Sequence, residues 1–223
     1  MNRLKKAARL LAALLMIAMI AGCSSVKFEP TVSSIYVDKN GTIFGADIES
    51  FDNSSFAEER YKEADLKAFV EDEVKAYNQE KAGISEAYEP EEKEKNDASE
   101  PLPVSISSLT VEENKAKLIL KYANCDDYLA FTKADDTVTG ILFATAAQAS
   151  GADLFPANLV SPKGAAVDTS KYADSDKAFV VSVIGTTQLV VNGKIIGASD
   201  SVEIVDDHTV NIDSEEAVSV LFK

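Results

Sequence analysis

From residue 178 to the last residue, the chain is a succession of β-branched runs separated by tight-turn signals, and this pattern constrains the fold most. Residues 178–184 are apolar and β-branched enough for a central strand. Leu189-Val190-Val191, Asn192-Gly193 and Lys194-Ile195-Ile196 have the order of a type I′ hairpin, in which Asn-Gly supplies two positive-φ positions. Residues 202–205 and 209–212 flank Asp206-Asp207-His208 as a further hairpin, and 218–222 reads as a terminal strand. Short strands joined by tight turns favour a C-terminal antiparallel meander.

Earlier segments add helices. Ser34-Ile35-Tyr36-Val37 leads into the turn signal Asp38-Lys39-Asn40-Gly41. Residues 42–51 follow with Ile43, Phe44, Ile48 and Phe51, so the two runs read as a hairpin. Leu66, Phe69, Val70, Val74 and Tyr77 recur at helical spacing, with Glu63, Asp65, Lys67, Glu71, Asp72 and Lys75 on the other face. Gly83 reads as the stop. Residues 86–103 turn polar and acidic, with prolines at 90, 101 and 103. Such a stretch buries too little apolar surface to offset its ordering entropy and reads as a solvated loop. Residues 104–111 and 116–122 flank Glu112-Glu113-Asn114-Lys115 as a second hairpin. Asp126 and Asp127 are N-cap candidates for a short helix through Tyr128, Leu129 and Phe131. The Ala-rich residues 141–149, closed by Ser150-Gly151, suggest another helix. The expected class is α+β: mostly antiparallel sheet with one long amphipathic helix and one or two shorter ones, in a single domain spanning 34–223.

The chain opens differently. Arg3, Lys5, Lys6 and Arg9 precede an apolar run at 10–21, within the length of a signal-peptide core and short for a membrane span. It ends in Ala21-Gly22-Cys23, small residues before a cysteine, which resembles a lipobox. The expectation is a lipoprotein signal peptide at 1–22, cleavage between Gly22 and Cys23, and acylation of Cys23. A tether at 23–33 would then hold the domain on the extracytoplasmic face of the cell membrane. Two acyl chains hold durably where one does not. Ser24-Ser25-Val26-Lys27 matches the Ser-x-x-Lys nucleophile pattern but falls on that tether, and reads as chance. Lipidation of Cys23 leaves Cys125 alone, so no intrachain disulfide is expected. Cys125 reads as a small core residue, and the core must hold without staples.

The segments Ser34-Ile35-Tyr36-Val37-Asp38-Lys39-Asn40-Gly41, 65–78, Asp127-Tyr128-Leu129-Ala130-Phe131 and Leu221-Phe222-Lys223 resemble uncharacterised lipobox-containing lipoproteins of Gram-positive gut anaerobes. The resemblance covers most of the mature chain through hydrophobic patterns. It implies a lipid-anchored envelope protein and carries over no functional residue, since that group has no established activity.

Of 223 residues, 22 are basic and 37 acidic, a net charge of −15. Removing Arg3, Lys5, Lys6 and Arg9 leaves 18 basic residues against 37 acidic, or −19. Such a surface repels nucleic-acid phosphates and anionic headgroups, so no nucleic-acid partner is expected. The lone histidine, His208, falls beside a turn and reads as exposed. No G-x-S-x-G elbow accompanies it. Cys125 and His208 are too few for a zinc site, nucleotide-binding glycine motifs are absent, and no cofactor is expected. Asp168, Asp174 and Asp176 offer oxygen ligands for calcium in a loop without EF-hand spacing, and a solvated acidic turn is the preferred reading. A glycosidase needs two spaced carboxylates. With no Trp, sugar stacking would fall to Tyr36, Tyr61 or Tyr128. Two functions remain. One is a non-catalytic binding or interaction module for an envelope protein or small ligand, bound to the bilayer through acylated Cys23. The other is a carboxylate-dependent extracytoplasmic hydrolase acting on cell-wall polymer or glycan.

Overall fold

Tight turns and alternating strands set the frame in a computed structural model that describes residues 27–50, 63–90, 101–112, 115–133 and 137–223. Strands β1 (Ser34–Val37) and β2 (Ile43–Ser50) pair antiparallel across the expected turn. Gly41, at φ +85°, closes that turn by donating its N–H to Asp38 O at 3.0 Å. Helix α1 (Glu63–Ala82) buries Val70 and Val74, with Leu66 and Tyr77 half-buried against the same core. Phe69 is 62% exposed, although the apolar spacing includes it. At 100° per residue it sits roughly 95° from the centre of the stripe through Leu66, Val70, Val74 and Tyr77. Gly83 ends the helix at φ +72°.

One turn beyond Val74, the fully buried Asn78 ties α1 to the sheet. Its Nδ2 donates to Glu86 O and Val104 O, both at 2.7 Å, and its Oδ1 accepts Val104 N–H at 3.0 Å. The expected solvated stretch 86–103 is therefore narrower than its composition suggests. Ala87 is buried and accepts Ile106 N–H at 2.7 Å, Tyr88 donates to Glu71, and Leu102 is buried. Its centre, 91–100, lies outside the described residues.

Strands β3 (Val104–Glu112) and β4 (Lys115–Tyr122) form the second expected hairpin. Helix α2 (Cys125–Phe131) follows, capped by Asn124 rather than by Asp126 or Asp127. The Asn124 Oδ1 accepts Asp127 N–H at 2.9 Å. The two aspartates instead occupy the first turn, where the helix dipole favours acids. The Ala-rich helix also begins later than its composition suggests. Residues 141–145 belong to β5 (Val138–Thr145), and α3 (Ala146–Gly151) starts at a Thr145–Gln148 capping box. Pairing with the neighbouring strand outweighs alanine propensity here.

The remaining strands are β6 (Phe179–Val191), β7 (Ile195–Ala198), β8 (Glu203–Ile204) and β9 (Thr209–Phe222). The sheet runs β3-β4-β2-β1-β6-β9-β7, with β5 also on β6 and β8 also on β9. All pairs are antiparallel except β1–β6, so the α+β, mostly antiparallel class holds. The C-terminal strands gather round β9 rather than each pairing with its predecessor. The expected Asn192-Gly193 hairpin does not form, because β7 pairs with β9 and not with β6. Gly193 has no positive φ; its Cβ would lie 2.6 Å from Lys223 O, so the position needs glycine for close approach.

Strands β6 and β9 are bent. A straight β9 would hold its ends about 44 Å apart, from its 14 residues at about 3.4 Å each. Yet Ile195 N–H bonds Asp207 O and Lys194 N–H bonds Lys223 O, both at 2.8 Å, so both ends of β9 meet the same two residues. The corner falls at Gly185, with φ +129° and a register shift beside it; a Cβ there would lie 2.1 Å from Thr137 O. Strands that switch walls through such a bulge close a sheet over its own core. Val37, Ile43, Leu120, Val181, Leu189 and Phe222 fill the inside. Two smaller clusters lie outside it. On one wall Tyr36, Ala46 and Ile119 are covered by Phe28; on the other, Val180 and Leu221 are covered by Ala146, Ala149 and Leu159.

The part of the expected tether that is described, residues 27–33, thus belongs to the domain. Phe28 is 5% exposed, with its ring 5.2 Å from Tyr36. Pro30 is buried and its carbonyl accepts Lys117 Nζ–H at 2.8 Å, while Ser33 Oγ accepts Ile48 N–H at 3.0 Å. This segment is called the strap below. It packs because β1 and β2 are apolar on both faces, and the outer face needs a cover.

Candidate functional site

A cleft of about 550 Å³ lies between strap residues 27–31 and the turn 206–209, with Ser34, Gln188 and Val190 beneath. The end of β6 and the start of β9 place the turn, and Phe28 places the strap. Asp206 Oδ1 accepts His208 N–H at 2.7 Å, shaping the turn. The His208 side chain does not point into water without a partner, as its position beside a turn suggested. It is half-buried, and its Nδ1 lies 2.6 Å from Gly193 O. A carbonyl only accepts, so Nδ1 carries the proton and Nε2 is left for other contacts.

The cleft's carboxylates are already engaged. Asp207 accepts Lys194 Nζ–H at 2.9 Å, and this bond and charge hold its carboxyl below the usual range, with His208 adding a smaller effect. Glu29 pairs with Lys27 on the strap, which likewise holds its carboxyl low. A glycosidase's general acid needs the opposite shift, upward into the neutral range. Ser34 Oγ donates to Val32 O at 3.0 Å, and Gln188 Nε2 donates to Asn211 Oδ1 at 3.2 Å. The arrangement can receive a polar ligand through charged pairs and an imidazole edge.

Other candidates fall elsewhere. Cys125 opens α2 and packs half-buried against the main core, away from the cleft lining. Burial pushes its thiol up to about 11, with the Asp126 charge adding to the effect, so it is no activated nucleophile. Tyr36 and Tyr128 are buried in packing and cannot offer a stacking face, while Tyr61 lies outside the described residues. Asp168, Asp174 and Asp176 are exposed; Asp168 accepts Ser170 Oγ–H at 2.6 Å and pairs with Lys171 at 3.4 Å. Among the described residues, no three His, Cys, Asp or Glu side chains converge as a metal would require. Gly22 and Cys23 lie outside the described residues, as does the apolar run 10–21. No described helix is long and apolar enough to cross a membrane.

Sequence reasoning missed the strap and its cleft. Phe28 and Pro30 in an otherwise polar stretch, followed by strands apolar on both faces, were the available signal. Asn192 had less: it donates to Asp38 across more than 150 residues, which no local pattern shows. Set against protein-family models, curated proteins and solved structures, the chain finds no match in any of the three.

Proposed function

We propose that the chain is a lipid-anchored protein of the cell envelope, held on the extracytoplasmic face of the cell membrane by acylated Cys23, whose folded part is a non-catalytic binding module. The observation that carries the anchor is the order of the first 23 residues: a cationic start, an apolar run, then Ala21-Gly22-Cys23. The cleft between the strap and the 206–209 turn supplies the place for a small ligand or a segment of an envelope protein. Glu29 and Asp207 are each paired with a lysine, which suits recognition more than proton transfer. A carboxylate-dependent hydrolase is the second reading, favoured only by Glu29, Asp206 and Asp207 sharing that cleft.

Metabolic labelling with a fatty-acid analogue tests the anchor: the wild type takes label and Cys23→Ser does not. Equal label on both sinks the lipoprotein reading. Cell-wall hydrolysis that is lost in a folded Asp206→Asn variant would replace the binding reading with the second.

A further inference from the structure

We infer that the strapped face of the domain rests on the bilayer, so that an acidic protein meets an anionic lipid surface through a wall whose lysines balance its acids. The inference rests on acylation of Cys23 and adds an orientation to it.

Chain length gives the first reason. Phe28 is buried against Tyr36, five residues after Cys23. At about 3.5 Å per residue those five residues reach about 17 Å at full extension. A body of some 200 residues measures roughly 40 Å across. The lipid therefore cannot hang far from the strap, and the wall beneath the strap is the one held near the membrane.

Charge gives the second reason, independently. Side chains alternate along β4, so Lys115, Lys117 and Lys121 share the outward face of Ile119, which the strap covers. Lys27 on the strap joins them. Glu29, Glu89 and Glu112 stand beside these lysines: Glu29 pairs with Lys27, Glu89 with Lys121, and Glu112 lies opposite Lys115. The wall is thus close to neutral in a mature chain of −19. Asp206 and Asp207 lie at its rim, the latter paired with Lys194. An anionic surface attracts a nearby lysine and repels the acidic remainder. A wall whose lysines balance its acids meets such a surface at less cost than the acidic outer face of α1 does.

The test is a lysine footprint of the full lipidated protein with a membrane-impermeant amine reagent, read by mass spectrometry. The protein is compared in detergent micelles and on vesicles of equal parts phosphatidylglycerol and phosphatidylcholine. Lys27 and Lys115 should lose reactivity several-fold on vesicles. Lys163 and Lys177 flank the loop over the opposite wall, are both exposed, and should stay reactive. In a Lys27→Glu/Lys115→Glu variant, the vesicle-dependent protection of Lys117 and Lys121 should be lost while the lipid remains attached. Unchanged reactivity at Lys27 and Lys115, or protection at Lys163 instead, overturns the orientation. Intact mass separates this from the parent reading: a protein without acyl mass refutes the anchor, whereas an acylated protein with an open strapped wall refutes the orientation alone.

Discussion

The two outer walls of the bent sheet are both apolar and both covered, but in different ways. Over Val180 and Leu221 the chain makes an excursion from α3 to residue 178 that leaves from β5 and returns into β6. It is sewn down by backbone bonds: Ala146 N–H to Ala178 O at 2.8 Å, and Val160 and Ala198 exchanging both of theirs at 2.8 and 3.0 Å. Over Tyr36, Ala46 and Ile119 the cover among the described residues is the strap, joined to the sheet through Ser34. Side chains hold it: the Phe28 ring, the Lys117 ammonium on Pro30 O, and the Ser33 hydroxyl under Ile48 N–H. A cover fixed at both ends opens only with the fold. A cover held by side chains alone can lift by itself, at a free energy below that of global unfolding. The candidate cleft is built on the second kind.

The largest effect comes from a change that removes both walls together. Gly185 is the corner at which β6 turns from one wall to the other, and its Cβ would lie 2.1 Å from the backbone of Thr137 at a φ of +129°. Gly185→Val adds both strain and overlap, and the expected cost is about 4 kcal/mol or more, enough to leave a domain of ordinary stability largely unfolded. Thermal denaturation followed by circular dichroism measures it. A Gly185→Val domain that melts within a few degrees of wild type would remove the corner from this account.

The next pair tests the walls separately. Leu159, 2% exposed, fills the excursion's cluster, and Leu159→Ala should cost about 3 kcal/mol in global stability by urea denaturation. Phe28 is the larger side chain, yet Phe28→Ala should cost less, about 2 kcal/mol, because the loss is capped by the strap's own docking energy. It should instead expose residues 27–33 to proteases under conditions where the rest of the domain resists them. If Phe28→Ala costs more than Leu159→Ala and the strap is cut only on global unfolding, the two covers are not different in kind.

The same contrast explains what could be read from the sequence. Local signals served the elements whose partners are close in the chain: Gly41 closing β1–β2, the stripe of α1 with Gly83 as its stop, and the β3–β4 hairpin. Where a strand's neighbour is distant, the pattern misled. Thr186-Thr187 and Ser214-Glu215-Glu216 look like breaks between short strands, but they are the bends of two long ones. Asn192-Gly193 looks like a hairpin turn because its residues satisfy that turn, although the chain needs glycine there to pass Lys223 O. The site was less legible than the fold. His208 reads as exposed because its partner, Gly193 O, arrives only when β6 and β9 close. Asn78 offers a weaker signal: a polar residue one turn after Val74 continues the buried stripe and so marks a buried tie.

The smallest effect is expected at Cys125, and its smallness is useful. The thiol packs half-buried at the start of α2 against the main core, on neither outer wall. Burial raises it from an ordinary value near 9.0 to about 11, and the nearby Asp126 charge acts in the same direction. Only the thiolate reacts, so alkylation by iodoacetamide at pH 8 should be slow in the folded protein and should climb steeply as pH approaches 11. The linkage has a definite sign. Between about 9 and about 11 the unfolded chain has lost the proton that the folded chain keeps, so this group's contribution to stability is whole below 9.0 and declines as pH rises through that window. Because Cys125 lies inside, lifting the strap leaves its surroundings intact: the Phe28→Ala variant should be alkylated at pH 8 only as much faster than wild type as its own loss of global stability predicts, and more slowly than Leu159→Ala. Leu159→Ala, which lowers global stability and so populates the open chain more, should be alkylated faster. An acceleration in Phe28→Ala equal to that in Leu159→Ala would mean that the strap and the core open as one unit, and the cleft beneath the strap would then be as rigid as the core.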